Sequence, residues 1–245
     1  MRKLLKALIL ALVIVPYSAF AESAVDIVDK TYSHMRGKTS VGVIEMIIHR
    51  PDFERSMTVK SWSKGRSDGI FYITKPKKDA GNGTLKKGRK MWTYNPAINR
   101  IVKLPPSMMG QSWMGSDFSN NDLSKTESMI DDYNHTIISK ENGVYSIKSI
   151  PKEGAAVVWG KVEMKIREDY ILLKQKFFDQ DMVGVKELST SDIREADGRL
   201  FPMLWVMKNL EEDDRYTTLK YHEIEFDTPL SDRLFTTTYL KRVGG

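Results

Sequence analysis

From Thr39 almost to the C-terminus, apolar and polar residues alternate with a period of two, and small clusters of turn-forming residues interrupt the alternation at short intervals. Val41, Val43, Glu45 and Ile47 stand against Gly42, Ile44, Met46 and Ile48, which leaves both faces of that strand apolar. Val158, Gly160, Val162, Met164 and Ile166 stand against Trp159, Lys161, Glu163, Lys165 and Arg167, a pattern with one buried and one wet face. The breaks fall at Asn95-Pro96, Glu141-Asn142-Gly143, Arg167-Glu168-Asp169 and Ala196-Asp197-Gly198-Arg199. Such a chain has few options. It predicts a mostly β protein of about ten or eleven antiparallel strands joined by short hairpins, and a sheet that wide must curl or close to limit its exposed edges. Ahead of the strands, Val25, Val28, Tyr32 and Met35 recur at steps of three and four before Gly37, which predicts one amphipathic N-terminal helix.

The first 21 residues follow a different logic. Arg2, Lys3 and Lys6 precede an apolar run from Ala7 to Val15 and the small-residue site Ala19-Phe20-Ala21. This reads as a secretory signal peptide cut after Ala21; the run is far shorter than the roughly 20 residues of a membrane-spanning helix. Glu22 would then be the mature N-terminus, with no cysteine there to acylate, and the expected location is the periplasm. The expected remainder, 22–245, shows no linker, low-complexity block or repeat and is read as one domain. With no cysteine in the chain, no disulfide staples it. Loss of three lysines and arginines takes the formal balance from 38 basic against 32 acidic to 35 against 32, a mild +3 that argues against nucleic acid as a partner.

The period of two fails after Pro105-Pro106. Met108, Met109, Trp113, Met114 and Phe118 are gathered in a long insertion followed by a polar stretch to Glu127. Long connections within a compact domain serve as lids or are disordered, and this content of large apolar groups argues against disorder. Thioether side chains repack around ligands of varied shape, so the insertion is either a lid over an apolar site or a plug of core. In the run Phe201 to Asn209, Met203, Trp205 and Met207 point one way while Leu204 and Val206 point the other. A core needs only one of those faces, and the surplus needs a lid, a cargo or another chain to cover it.

Motifs of catalysis are weak. Gly110-Gln111-Ser112-Trp113-Met114-Gly115 is one residue too long for a Gly-x-Ser-x-Gly elbow and lies outside a strand-to-helix turn. His34, His49, His135 and His222 are scattered, with no pair at zinc-site spacing. Glu211-Glu212-Asp213-Asp214 lacks the spacing and the glycine of a calcium loop and reads as a solvated turn. No metal, cofactor or catalytic residue is therefore assigned. Lys75, Lys77, Lys78, Lys86, Lys87, Arg89 and Lys90 flank Gly81-Asn82-Gly83 as a basic cluster, either a charged edge that deters aggregation or a surface for anionic headgroups or an acidic partner.

The run Gly88-Arg89-Lys90-Met91-Trp92-Thr93-Tyr94-Asn95-Pro96 resembles the "DGKxLWxYNP" strand of the periplasmic lipoprotein-carrier family, the LolA/LolB-like proteins, with Lys87 in place of the usual acidic residue and Met91 in place of leucine. Phe71, Thr74 and Pro76 fall where that family leads into a threonine-x-proline step, and Phe226-Asp227-Thr228-Pro229 with Leu234-Phe235-Thr236 resembles its ending. The resemblance implies a strongly curved, incomplete antiparallel β-barrel with helices in its mouth and a hollow for acyl chains. It places the chain among the broader outer-membrane lipoprotein-sorting relatives. It also implies that an early-strand arginine gates the lid. Arg66 is the nearest candidate, at the cost of a one-residue shift; otherwise it is a solvent-facing arginine at a strand end.

Three functions follow. The first is a carrier that shields acyl chains of a lipid or lipoprotein, for lipoprotein sorting or lipid transfer. The second is an envelope sensor or adaptor of the same fold, docking onto a membrane transporter or regulator. The third, a hydrolase, has no residues to carry it. The site expected for either of the first two is Met108, Met109, Trp113, Met114, Phe118, Met203, Trp205 and Met207.

Overall fold

Among the described residues, the alternation is realised in thirteen strands. The computed structural model describes residues 22–124 and 126–244, so the expected leader at 1–21 lies outside the described residues. The strands are β1 (Thr39–Arg50), β2 (Phe53–Lys64), β3 (Asp68–Lys75), β4 (Gly83–Lys87), β5 (Lys90–Asn95), β6 (Arg100–Lys103), β7 (Tyr133–Glu141), β8 (Val144–Pro151), β9 (Lys161–Arg167), β10 (Leu172–Phe178), β11 (Gly184–Ala196), β12 (Arg199–Asn209) and β13 (Tyr216–Phe226). They form one curved antiparallel sheet in the order β6-β5-β4-β3-β2-β1-β13-β12-β11-β10-β9-β8-β7. The pairing of β1 with β13 joins an N-terminal meander to a C-terminal one. The edges β6 and β7 do not pair, so the barrel stays incomplete as expected. The count exceeds ten or eleven because β4, β5 and β6 are only 5, 6 and 4 residues long, too short to display a period.

Helix α1 (Ala24–Arg36) has the expected position but a shifted buried face. Ser23 caps it, its hydroxyl accepting the Asp26 N–H at 3.2 Å, and Gly37 ends it at φ 68°, a conformation that costs glycine little. Ala24, Ile27, Val28 and Thr31 are buried, whereas Val25 is exposed and Tyr32 and Met35 are half-buried. Two short helices, α2 (Asn120–Ser124) and α3 (Thr126–Asp131), end the insertion, and α4 (Thr237–Gly244) closes the chain. The insertion thus connects the two unpaired edges β6 and β7, and α1 packs against α3 and β7. This path carries it across the concave side of the sheet.

The two apolar faces of the N-terminal strands serve two cores. On the concave face, Met46, Ile48, Met57, Val59 and Ile73 pack with α1, the insertion and the strands from β7 to β12. On the convex face, Ile70, Tyr72, Leu85 and Tyr94 pack under Phe235 and Leu240, with Trp62 and Trp92 beside them. The surplus apolar face of β3 to β5 is covered by the chain's own α4. Gly83 allows the close approach: a Cβ there would lie 2.7 Å from the Tyr72 ring and 2.9 Å from Leu240 Cδ1. Trp92 and Tyr94, with Asn95 Oδ1 accepting the Ala97 N–H at 2.9 Å, therefore build the convex wall rather than the hollow.

The segment expected to start a strand at Val158 behaves otherwise. Val158 is exposed, Trp159 turns to the concave side, and a Cβ on Gly160 would meet the Asp179 carbonyl at 2.3 Å. Regular alternation begins only at β9, where Val162, Met164 and Ile166 are buried.

Candidate functional site

Between the concave face, α1 and the insertion lies a cavity of about 260 Å³. For comparison, a dry apolar cavity of about 150 Å³ takes up benzene. Alternation fixes which side chains reach it. Phe71 comes from β3, Phe177 from β10, Leu188 from β11, Trp205 and Met207 from β12, and Leu219 from β13, while Trp159 enters from the stretch before β9. The insertion adds Trp113 and Phe118. Trp113 is fixed by its indole N–H, which donates to Thr84 Oγ1 at 3.1 Å, and by an edge contact with the Phe71 ring at 5.4 Å between centroids.

Of the residues expected to form the site, the structure brings Trp113, Phe118, Trp205 and Met207 to one cavity. Met108, Met109 and Met114 stay half-buried in the insertion and off the lining, Met114 in the left-handed region at φ 53°. Met203 is off the lining and packs with Phe201 and Phe226 in a small cluster of which Phe201 borders the cavity.

The insertion is held down by charge as well as by packing. The Asp117 side chain, 3% exposed, accepts from Arg50 Nη1 at 3.0 Å and from Arg215 Nε at 3.1 Å. The Thr217 hydroxyl donates to the same carboxylate at 2.6 Å and accepts the Asp117 N–H at 3.0 Å, and Arg50 Nη2 donates to the Gly115 carbonyl at 3.1 Å. A second clamp joins Asp122 to Lys186, both about nine-tenths buried, with the ammonium 4.6 Å from the Trp159 ring centre and 5.0 Å from that of Phe177. The sequence reading missed both carboxylates. For Asp117 an acid set between Trp113-Met114 and Phe118 was the available signal; Asp122, in a polar stretch, offered none.

Arg66, in the turn between β2 and β3, ties down α1 rather than the insertion: its guanidinium binds Asp29, and its carbonyl accepts from Arg36 Nη1 at 3.0 Å and from Lys86 Nζ. The pair with Asp29 is more than a third exposed on both sides, which makes it a modest contact in water.

The basic cluster needs correction. Lys86 is buried, at 2% exposure, because it sits on the concave face of β4 and spends its charge on the Arg66 carbonyl. The others do not share one hairpin. Lys75, Lys77 and Lys78 lie at the β3–β4 turn, whereas Lys87, Arg89 and Lys90 lie at the β4–β5 turn, about 17 Å away along a five-residue strand. Lys87 also pairs with Asp68 at 3.2 Å and Arg89 with Asp132 at 3.3 Å.

The histidines are held separately. His34 contacts the Leu200 carbonyl, His49 stacks on Tyr216, His135 meets Ser149 and His222 pairs with Glu45. Among the described residues, no group of three or more His, Asp or Glu is arranged to hold a metal ion. The acidic turn is solvated and ordered by Asn209, whose Oδ1 accepts the N–H groups of Glu211 and Glu212 at 2.7 and 2.8 Å.

The chain is similar to proteins already known. A family model described as "-like: Uncharacterized protein" matches residues 65–242. Among solved structures, a domain classed with outer membrane lipoprotein-sorting proteins, from Vibrio parahaemolyticus, is 23% identical with a TM-score of 0.75, over 89% of this chain and 98% of that one. A DUF1329 family protein from Desulfovibrio piger is 22% identical with a TM-score of 0.79, over 89% and 97%. A LolA superfamily protein from Nitrosomonas europaea is 21% identical with a TM-score of 0.74, over 89% and 100%. No curated protein sequence matches.

Proposed function

Since the chain belongs to the family matched over residues 65–242, and since its fold is that of the LolA superfamily, we propose that it is a periplasmic binding protein that shields acyl chains. The cargo is a lipid or the acylated end of a lipoprotein, held for lipoprotein sorting or lipid transfer. The observation that carries this reading is the cavity behind the insertion, walled by Trp113, Phe118, Trp205, Met207, Leu188 and Leu219. An acyl chain gains about 0.8 kcal/mol for each methylene taken from water, and a lining of aromatic and unbranched side chains adapts to chains of different length. Binding rather than catalysis is the role such a wall supports.

The insertion, which bridges the sheet edges and is pinned at Asp117 and Asp122, is the segment that opens to admit the chain. The exposed lysines at the two turns of β4 are then the surface that meets a headgroup, a transporter or an acceptor.

Organic extraction of protein purified from the periplasm without detergent, followed by mass spectrometry, tests the reading. Acyl-chain compounds at up to one per protein are expected, together with an intact mass that begins at Glu22. A protein that carries no acyl compound and takes none from liposomes contradicts the proposal.

A further inference from the structure

The cavity wall is polar along α1 and at one end of β1 and β2, and again where Asn121, Asp122 and Ser128 of the insertion and Gln175 of β10 reach it. On α1, Thr31, Tyr32, Met35 and Arg36 line the cavity at positions i, i+1, i+4 and i+5, the spacing of one helix face. Thr31 is 1% exposed, and its hydroxyl oxygen has no hydrogen-bond partner among the described residues. A buried polar group left unsatisfied costs about 1–3 kcal/mol, and one that borders a cavity marks where a ligand atom belongs. Tyr32 meets Gln175 there, and burial pushes its hydroxyl up to about 12, so it stays a neutral hydrogen-bonding group.

Arg36 is the one cation among the lining residues, and it sits about 7.5 Å farther along the axis than Thr31. Its place in the last turn of α1 suits a cation, and its Nη1 bond to the Arg66 carbonyl sets the guanidinium beside the β2–β3 turn. Facing it, Ser40 pairs directly with Ser63, and Ser61 opposes Gly42, so three hydroxyls line this end where the next inward positions, Ile44 and Val59, are apolar. Asp122, the one acid in the lining, belongs to the insertion and is held by Lys186.

We infer that the ligand is a single-chain amphiphile with an anionic head, the head seated between Arg36 and Ser40, Ser61 and Ser63, and the chain running past Trp205 toward Trp113. This rests on the acyl-chain reading of the cavity and adds the charge and place of the head. At the depth of Thr31, its hydroxyl donates to the first polar linkage of the chain, an ester carbonyl in a glycerolipid.

The test follows tryptophan fluorescence of the full mature chain titrated below micelle concentrations with palmitate, palmitoyl-lysophosphatidylglycerol and neutral monopalmitoylglycerol. Both anions are expected to bind at least tenfold tighter than the neutral lipid. Arg36→Gln is expected to bring all three within about twofold by weakening the anions alone, while Arg36→Lys keeps the preference. Thr31→Val should leave the melting temperature of the empty protein unchanged or raised, and weaken palmitoyl-lysophosphatidylglycerol several-fold without affecting palmitate. The tighter of the two anions identifies the source as glycerolipid or free fatty acid. Equal affinity for charged and neutral lipids, indifferent to Arg36→Gln, overturns the anionic head and leaves the acyl-chain reading standing. Failure of all three to bind overturns that reading itself.

Discussion

Asp117→Ala is expected to destabilise the protein by about 3–5 kcal/mol, because it removes one partner of a buried ion pair and leaves the other without compensation. Arg50 is only 10% exposed, so its charge cannot recover full hydration when the carboxylate goes. The Thr217 hydroxyl loses the carboxylate it donates to and keeps only the backbone N–H at position 117. The insertion then keeps the Asp122–Lys186 clamp, its aromatic anchors and the Arg50 bond to the Gly115 carbonyl, but loses its carboxylate contacts with Arg50, Arg215 and Thr217. Urea unfolding measures the loss. Hydrogen exchange should locate it, with protection falling first over residues 110–119. Asp117→Asn retains an acceptor and should cost less. A change below about 1 kcal/mol for the alanine variant would show that Arg50 and Arg215 are satisfied by water, and that the pair does not hold the insertion.

Trp113→Ala is the second large effect, also about 3–5 kcal/mol, the range for truncating a buried aromatic. The ring packs on Phe71, and its N–H satisfies Thr84, which is itself buried. Replacing Met108, Met109 and Met114 together with serine should cost far less than truncating three buried side chains, since all three are half-buried and off the cavity. Paired thermal melts of the two variants check this. If the methionine variant unfolds and the tryptophan variant does not, then the insertion is anchored by its thioethers, and Trp113 is a cavity contact only.

That contrast shows what was legible in the sequence. Composition marked the insertion as apolar, but which of its residues face inward is set by where the chain crosses the mouth, and no periodicity in an irregular segment records it. The strand pattern was legible because a period of two maps each residue to a face. Met203 still stays off the lining that its parity mates Phe201, Trp205 and Met207 share, and parity alone does not record that. The surplus apolar face was visible, yet its cover on β3 to β5 is α4, whose Leu240 is about 155 residues from Leu85 in sequence. Charge was the least legible feature. Lys86 is buried against a backbone carbonyl, and Lys75, Lys77 and Lys78 fall at the opposite end of β4 from Lys87 and Lys90. Ion pairs such as Arg50 with Asp117 join residues that only the folded sheet brings together.

On the proposed function, an acyl chain occupies the cavity itself. Leu219→Trp tests it most directly, because Leu219 lines the wall and is only half-buried, so a larger ring there fills the hollow while displacing little packed structure. Binding of a fluorescent fatty acid is measured for the wild type and the variant, with thermal melts as the control. Saturable binding with one site is expected in the wild type, and at least a tenfold loss in the variant at an unchanged melting temperature. Undiminished binding by a folded Leu219→Trp protein would place the lipid elsewhere and overturn the cavity as the acyl-chain site.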